Sequence, residues 1–373
     1  KIMKTINKKL IIFMPAMEGG GVEKNTIIIT NYLSKFINDI EFITFDDKFN
    51  KFLNKKIKIT NFKKYSKNKT SKYYKYLVCL IILIKRLLTK KKTYLFAFQA
   101  NVYCIILALI FNKKIITRSN SSPSGWNKSY LKNLIFKILF KYPEKIIVNS
   151  EKFKREFIKH FSINPKMIYN PVNRSEILIK SKMKINNNFF SKKKCLKIIN
   201  VARFTDQKDH ITLLKAFNII NKIIPSKLLL IGYGSNKFKI LDYIKKNKIN
   251  ENVKLIDYTF NPYKYIAKSN LFVLTSLYEG LPNVLLESMV LKKYVISSNC
   301  PTGPSEILDN GRYGGLFPVK NYKNLSEKIL DFANNKKKYN KKVLDAYKSL
   351  KRFDEEKNCQ LYLIEVKKMM GIN

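Results

Sequence analysis

What most limits the folds open to this chain is an alternation, repeated twice, of short apolar runs with amphipathic helical stretches. In the first half, the runs at 10–14, 41–45, 94–98, 114–117 and 146–149 read as strands, with helical spacing at 22–36, 73–88, 102–111, 129–140 and 152–160. Parallel strands need a crossover and a helix supplies it, so strands alternating with helices indicate a parallel, doubly wound sheet. At Ile168-Tyr169-Asn170-Pro171-Val172-Asn173 the proline turns the preceding residue away from helix, and residues 180–194 are polar, rich in Asn and Lys, and aperiodic. From Leu196 the alternation restarts, with strands at 196–201, 227–231, 253–256, 271–275 and 294–297, and helices at 209–220, 237–246, 262–268 and 283–291. Three further helices, near 324–334, 336–349 and 354–370, complete the pattern. The reading is α/β: two tandem doubly wound Rossmann-like domains, at 1–175 and 176–353, facing across a cleft, with a helix at 354–373. Ligands bind such sheets at the carboxyl ends of the strands, so that cleft is where a site is expected.

A chain of 373 residues suits two cores better than one, and a hydrophobic fraction of 46% is ample for both. The five cysteines are scattered and odd in number, which is neither a disulfide framework nor a zinc pattern and fits a reducing cytosol. Net charge is +47, and no acidic residue stands between Asp47 and Glu144. Lys, Ile and Asn richness can reflect base composition of the gene; read functionally, the same charge attracts an anionic membrane, a lipid-linked phosphate or nucleic acid. The apolar stretches 76–88 and 95–111 are short or broken by polar residues, below the roughly 20 clean residues of a spanning helix. No secretory signal is evident, so a soluble or surface-bound protein is expected.

Four segments have the residue types that chemistry needs. Gly19-Gly20-Gly21 lies between a strand and a helix, where glycines allow close approach and the helix N-terminus offers free N–H donors. It is no dinucleotide fingerprint or Walker loop, and alone it reads equally as a tight turn. Arg203 and Lys208 follow the strand at 196–201, where two cations can neutralise a diphosphate, or can simply be surface charges. Glu279 follows an apolar strand; Gly280, Leu281, Pro282 and Asn283 then turn into a helix that Asn283 is expected to cap, with Glu287 one turn further on. Such carboxylates suit vicinal hydroxyls on a sugar or ribose, and equally suit a helix dipole. The loop from Cys300 through Glu306 is made rigid by proline and glycine, and lines the same cleft or serves as a turn. The two histidines, His160 and His210, and the absence of an Asp-x-Asp pair leave serine–histidine and metal chemistry without support.

In combination these segments resemble the retaining glycosyltransferases of family 4, the glycosyl transferases group 1, with the GT-B fold. The resemblance spans nearly the whole chain and is most specific from Val201 to Phe317: Arg203 and Lys208, Leu230-Ile231-Gly232-Tyr233-Gly234, the two glutamates with seven residues between, and Glu306-Ile307 before Gly314-Gly315-Leu316. It implies that Arg203 and Lys208 hold the donor diphosphate, Glu279 contacts the transferred sugar and Glu287 the ribose. It further implies that the amides of Gly280 through Asn283 approach sugar and phosphate, that the base lies near Tyr258, and that Gly20 or Gly21 closes from the first domain. Many members carry a histidine after the strand corresponding to 114–117; here the loop reads Arg118-Ser119-Asn120-Ser121-Ser122, and Arg118 or Asn120 is expected to contact the sugar instead. The implied reaction moves a hexose or N-acetylhexosamine from a UDP- or GDP-linked sugar to a glycan or lipid-linked acceptor, in bacterial surface polysaccharide or lipopolysaccharide-type synthesis. The nucleotide sugar is a substrate; no metal or other cofactor is expected. The cytoplasmic face of the membrane is the expected location, with an anionic lipid surface as partner through residues 63–92. A nucleic-acid- or membrane-binding protein without transferase activity is the alternative, but leaves Glu279, Glu287 and the repeated α/β halves without a role, so nucleic acid is not expected as a partner. A GT-B epimerase would want a histidine and more acids, and a phosphorylase a cofactor lysine in another context.

Overall fold

The computed structural model describes residues 6–63, 70–89, 92–120, 130–185, 189–190 and 194–372. The chain divides into two units, Lys1–Pro171 with Glu355–Asn373, and Val172–Asp354.

The first unit is built on seven strands: β1 (Lys9–Phe13), β2 (Ile40–Asp46), β3 (Lys58–Lys63), β4 (Thr93–Ala97), β5 (Ile115–Arg118), β6 (Lys145–Val148) and β7 (Lys166–Met167). They lie in the order β3-β2-β1-β4-β5-β6-β7, every pairing parallel. Side chains alternate across a strand, so Leu10 and Ile12 enter one core while Ile11 and Phe13 enter another. That is why β1 and β4 read as unbroken apolar runs: both of their faces are buried. On the first face lie α1 (Gly21–Leu33) and α14 (Glu355–Met370). On the second lie α2 (Lys72–Leu87), α3 (Asn101–Ile110), α4 (Tyr130–Leu139) and α5 (Glu151–Phe161).

In the second unit, α6 (Arg174–Ser181) precedes six parallel strands: β8 (Leu196–Val201), β9 (Ser226–Ile231), β10 (Val253–Ile256), β11 (Leu271–Leu274), β12 (Tyr294–Ser298) and β13 (Gly315–Phe317). Their order is β10-β9-β8-β11-β12-β13. Helices α7 (His210–Ile223), α8 (Lys237–Lys246) and α12 (Tyr322–Asn334) cover one face, with Tyr339 of α13 (Lys336–Ser349) in the same core. Helices α9 (Tyr263–Lys268) and α10 (Asn283–Val290) pack with α6, and the four-residue α11 (Pro304–Ile307) follows β12. Val172 donates its N–H to the Phe353 carbonyl at 2.9 Å and bridges in parallel to Asp354, so the chain enters and leaves this unit side by side.

The two doubly wound parallel sheets agree with the sequence reading. β3, β7, β13 and α6 were not anticipated; β3 is charged and lies at a sheet edge, while β7 and β13 have only two and three residues, too few for a period to show. Asn283 is a correction: it is the first residue of α10, Pro282 occupies the capping position, and no side chain caps this helix. Pro282, in extended conformation, sets the start of the helix, and its carbonyl, not a side chain, accepts from the first turn, taking the Leu285 N–H at 3.1 Å. Of the serine-rich loop expected at 119–126, only Ser119 and Asn120 are among the described residues. The basic segment 63–92 is likewise described only outside 64–69 and 90–91.

Candidate functional site

In a doubly wound sheet the strand order reverses at one place, and the loops leaving the two flanking strands diverge there to open a crevice. In the second unit that place lies between β8 and β11. The loop after β8 carries Arg203 and Lys208, and the loop after β11 carries Glu279. They meet: Lys208 Nζ lies 2.5 Å from Glu279 Oε1. Ser276 donates its hydroxyl to the same carboxylate oxygen at 2.6 Å. Side-chain exposure is 15% for Lys208 and 7% for Glu279, so the pair is largely shielded from water and its charges act at short range.

Backbone contacts fix the two loops to each other. Gln207 accepts from the Leu277 N–H at 2.8 Å through its carbonyl, and its side-chain amide donates to the Tyr278 carbonyl, also at 2.8 Å. Thr275 donates its hydroxyl to the Lys208 carbonyl at 2.9 Å. Lys208 closes the short 3-10 turn Asp206–Lys208, after which Asp209 takes a left-handed conformation (φ +42°) and caps α7 by accepting from the Thr212 N–H. Arg203 is exposed at the mouth of this loop.

The glycine motif after β9 serves the same loop. A Cβ on Gly232 would lie 1.9 Å from the Ala202 carbonyl oxygen, and one on Gly234 would lie 2.2 Å from that of Phe204. Only glycine lets the strand ends come this close, and the Phe204 N–H is thereby held on the Tyr233 carbonyl at 2.7 Å. The loop after β12 does for Glu279 what this motif does for Arg203. Gly303, at φ +82°, would place a Cβ 1.9 Å from the Gly280 carbonyl oxygen, and Thr302 donates its hydroxyl to the Glu279 carbonyl. The Cys300 loop thus packs directly against the Glu279–Pro282 turn. Burial, with the Glu279 charge nearby, pushes the Cys300 thiol up to about 11, so it stays protonated.

Glu287 sits one turn into α10, 5% exposed, and accepts from the Tyr263 hydroxyl of α9 at 3.4 Å. Tyr258 follows β10, its ring edge-on to Tyr233 with centroids 5.8 Å apart. Gly280 and Leu281 lie in the turn between Glu279 and α10. Arg203, Tyr233, Tyr258, Glu279 and Cys300 therefore all leave the same edge of one parallel sheet, from neighbouring strands. His210 begins α7, 2% exposed and edge-on to Phe204. Burial and then the Lys208 charge hold its pKa down to about 3, so the ring is neutral at physiological pH.

In the first unit, Gly20 precedes α1 and Gly21 starts it, with Gly19 at φ +85°. Glu23 folds back onto the loop and accepts from the Glu18 N–H at 3.2 Å. The Gln99 side chain holds Ala16 at both N–H and carbonyl, tying the loop after β1 to the one after β4 at this sheet's own reversal point. Arg118 is fully buried: its guanidinium donates to the Tyr362 hydroxyl at 2.9 Å, to Asn170 Oδ1 at 2.6 Å, and to Asn120 Oδ1. Asn120 in turn donates to the Phe98 carbonyl at 2.7 Å.

Sequence reasoning did not single out Ser276, Gln207, Thr275 or Thr302. They are polar residues in the loops that follow β8, β11 and β12, and nothing in the pattern separates these from others of their kind. Among the described residues no group of three or more His, Cys, Asp or Glu is placed to hold a metal ion.

The family model described as glycosyl transferases group 1 matches residues 181–361. An uncharacterised glycosyltransferase of Methanocaldococcus jannaschii is 34% identical over 55% of this chain and 53% of its own. An N-acetylgalactosamine-N,N'-diacetylbacillosaminyl-diphospho-undecaprenol 4-alpha-N-acetylgalactosaminyltransferase of Campylobacter jejuni is 28% identical over 84% of this chain and 87% of its own. The solved structure of Anabaena HepE in complex with UDP and glucose superposes with a TM-score of 0.79 over 97% of this chain and all of that one, at 16% identity, which shows a shared GT-B fold. The matched segment, 181–361, contains Arg203, Lys208, Glu279 and Glu287.

Proposed function

We propose that this chain, a glycosyltransferase by its group 1 domain at 181–361, moves a hexose or N-acetylhexosamine from a UDP- or GDP-linked sugar to a glycan or lipid-linked acceptor, with retention and without a metal. The observation that carries the reading is the shielded Lys208–Glu279 pair, held on Ser276 where the sheet order reverses. As the bond from the sugar anomeric carbon to the phosphate oxygen breaks, positive charge grows on the sugar ring and negative charge on the departing diphosphate. Lys208, with Arg203 at the mouth of the loop, neutralises the diphosphate, and Glu279 accepts hydrogen bonds from the sugar hydroxyls. Before the donor arrives, Glu279 holds Lys208 in place, so little reorganisation remains when the leaving group develops its charge. Glu287 is assigned to the ribose, Tyr258 with Tyr233 to the base, and the amides from Gly280 to Asn283 to the phosphates.

The relatives support the substrate classes: the Campylobacter enzyme's name specifies an undecaprenol diphosphate acceptor, and HepE was crystallised with UDP and glucose. Synthesis of a surface polysaccharide at the cytoplasmic face of a membrane follows as the setting.

Incubating the purified chain with a panel of UDP- and GDP-sugars, with and without chelator, tests the assignment. One donor should be turned over at a rate that chelator leaves unchanged. Lys208→Ala and Glu279→Ala should each lower transfer by about 10²-fold or more. Wild-type rates in both variants would sink the site, and loss of turnover with chelator would sink metal independence.

A further inference from the structure

The helix layer on the second face of the first sheet is apolar on both sides. Helix α2 packs Cys79, Leu83 and Leu87 into the core, yet its opposite side exposes Leu77 (58%) and Ile81. Its neighbour α3 carries no charged residue, buries Cys104, Ile105 and Ala108, and exposes Tyr103, Ile106 and Ile110 (65%). Next to it, α4 exposes Leu134, Ile135 and Ile138 (64%). A surface helix in water has one apolar stripe and a polar opposite face; here the outer side of α3 has no charge, and those of α2 and α4 set large apolar side chains beside lysines. Together with Leu88, at the end of α2, they hold half of the 24 exposed large hydrophobic side chains among the described residues. A contiguous exposed patch of this kind marks a docking surface.

Charge identifies what docks. Residues 48–143 contain 23 lysines and arginines and no acid, and Lys72, Lys85, Lys137 and Lys141 lie exposed on or beside these helices. A second copy of the chain would bring the same positive surface against this one, and like charges repel. An anionic lipid surface satisfies both features, accepting apolar side chains into its acyl boundary while attracting the lysines around them. The helices lie on such a surface and do not cross it: α2 has 16 residues, α3 and α4 ten each, and no helix among the described residues is long and apolar enough to span a membrane.

We propose that the outer face of α2, α3 and α4 is a membrane-docking surface, with the apolar side chains inserted among anionic lipids and the flanking lysines at the headgroups. The surface extends the lipid partner expected from the basic segment 63–92 to a three-helix apolar face, and rests on the proposed function only for its purpose, since exposure and charge carry it independently.

Flotation of the full chain with phosphatidylcholine vesicles, alone or with roughly one-third phosphatidylglycerol, tests it. Binding is expected to the mixed vesicles at about 0.05 M salt, weakened at about 0.5 M. The triple variant Leu77→Asn, Ile110→Asn, Ile138→Asn keeps the charge of +47, so it separates apolar insertion from adhesion by charge alone. Its binding should fall by about tenfold or more with an unchanged thermal midpoint, while Ile223→Asn, exposed on α7 of the other unit, should bind as wild type. Equal binding by the triple variant, absence of binding to mixed vesicles at low salt, or a dimer in sedimentation that the triple variant abolishes would each overturn the proposal. Donor turnover measured without vesicles reads the transferase assignment separately, so either can fail while the other stands.

Discussion

Lys208 and Glu279 are both largely shielded, and this gives their removal two consequences that separate. Taking away one member leaves the other charge in a poorly solvated place, whereas taking away both leaves no charge to solvate. Lys208→Ala or Glu279→Ala should therefore destabilise the second unit by about 2 kcal/mol in urea unfolding. The double variant should recover most of that loss and remain as inactive as either single one. If the double variant is as unstable as the sum of the singles, the pair is not coupled as its 2.5 Å contact requires. His210 needs no such test, since a ring held neutral by burial takes no proton at physiological pH.

At the scale of elements, Glu41 fastens α2 and the sheet edge. Its carboxylate on β2 takes Lys9 of β1 and Arg86 of α2, each at 2.7 Å, and accepts from the Thr60 hydroxyl of β3 at 2.7 Å. Burial acts to raise its pKa, but Lys9, Thr60 and Arg86 outweigh burial and bring it from 4.5 to about 2. A carboxylate depressed in the folded state contributes stability that is complete above its unfolded value and is lost as pH falls toward the folded one. Between about pH 4.5 and 2 the first unit should therefore lose stability through Glu41. Glu41→Gln should lower its unfolding midpoint near pH 7, and the gap from wild type should close through that window. A gap that is constant with pH would place the effect in packing. Helix α14 is tied in differently, by the buried Arg118 donating to the Tyr362 hydroxyl at 2.9 Å and by the Tyr32 hydroxyl donating to the Glu356 carboxylate at 2.6 Å.

At the scale of the whole molecule, the last helix belongs to the first unit although the 183 residues of Val172–Asp354 separate it from the rest of that unit. Cys359, Tyr362, Val366 and Met369 complete the core over β1 and β4, so a chain ending at Asp354 should leave that face of the sheet covered by α1 without α14. Residues 172–354 should then still give a cooperative unfolding transition on their own, while 1–171 should be insoluble unless 355–373 is supplied; soluble, folded 1–171 would refute this. The two doubly wound sheets were legible in the sequence because hydrophobic period is a local property: buried strands read as apolar runs and crossover helices as 3.6-residue repeats. The position of Arg203, Lys208 and Glu279 beyond strand ends was legible as well, since each follows an apolar run. What the sequence by itself determined was thus the kind of element wherever the apolar period is long enough to show, and which side chains stand at the ends of those strands. Only the tertiary structure decided that β8 and β11 are neighbours, that Lys208 and Glu279 therefore meet on Ser276, and that three apolar helices turn one side outward. These depend on strand order and on what covers each face, and both are settled by contacts between residues far apart in the chain, where no local period reaches.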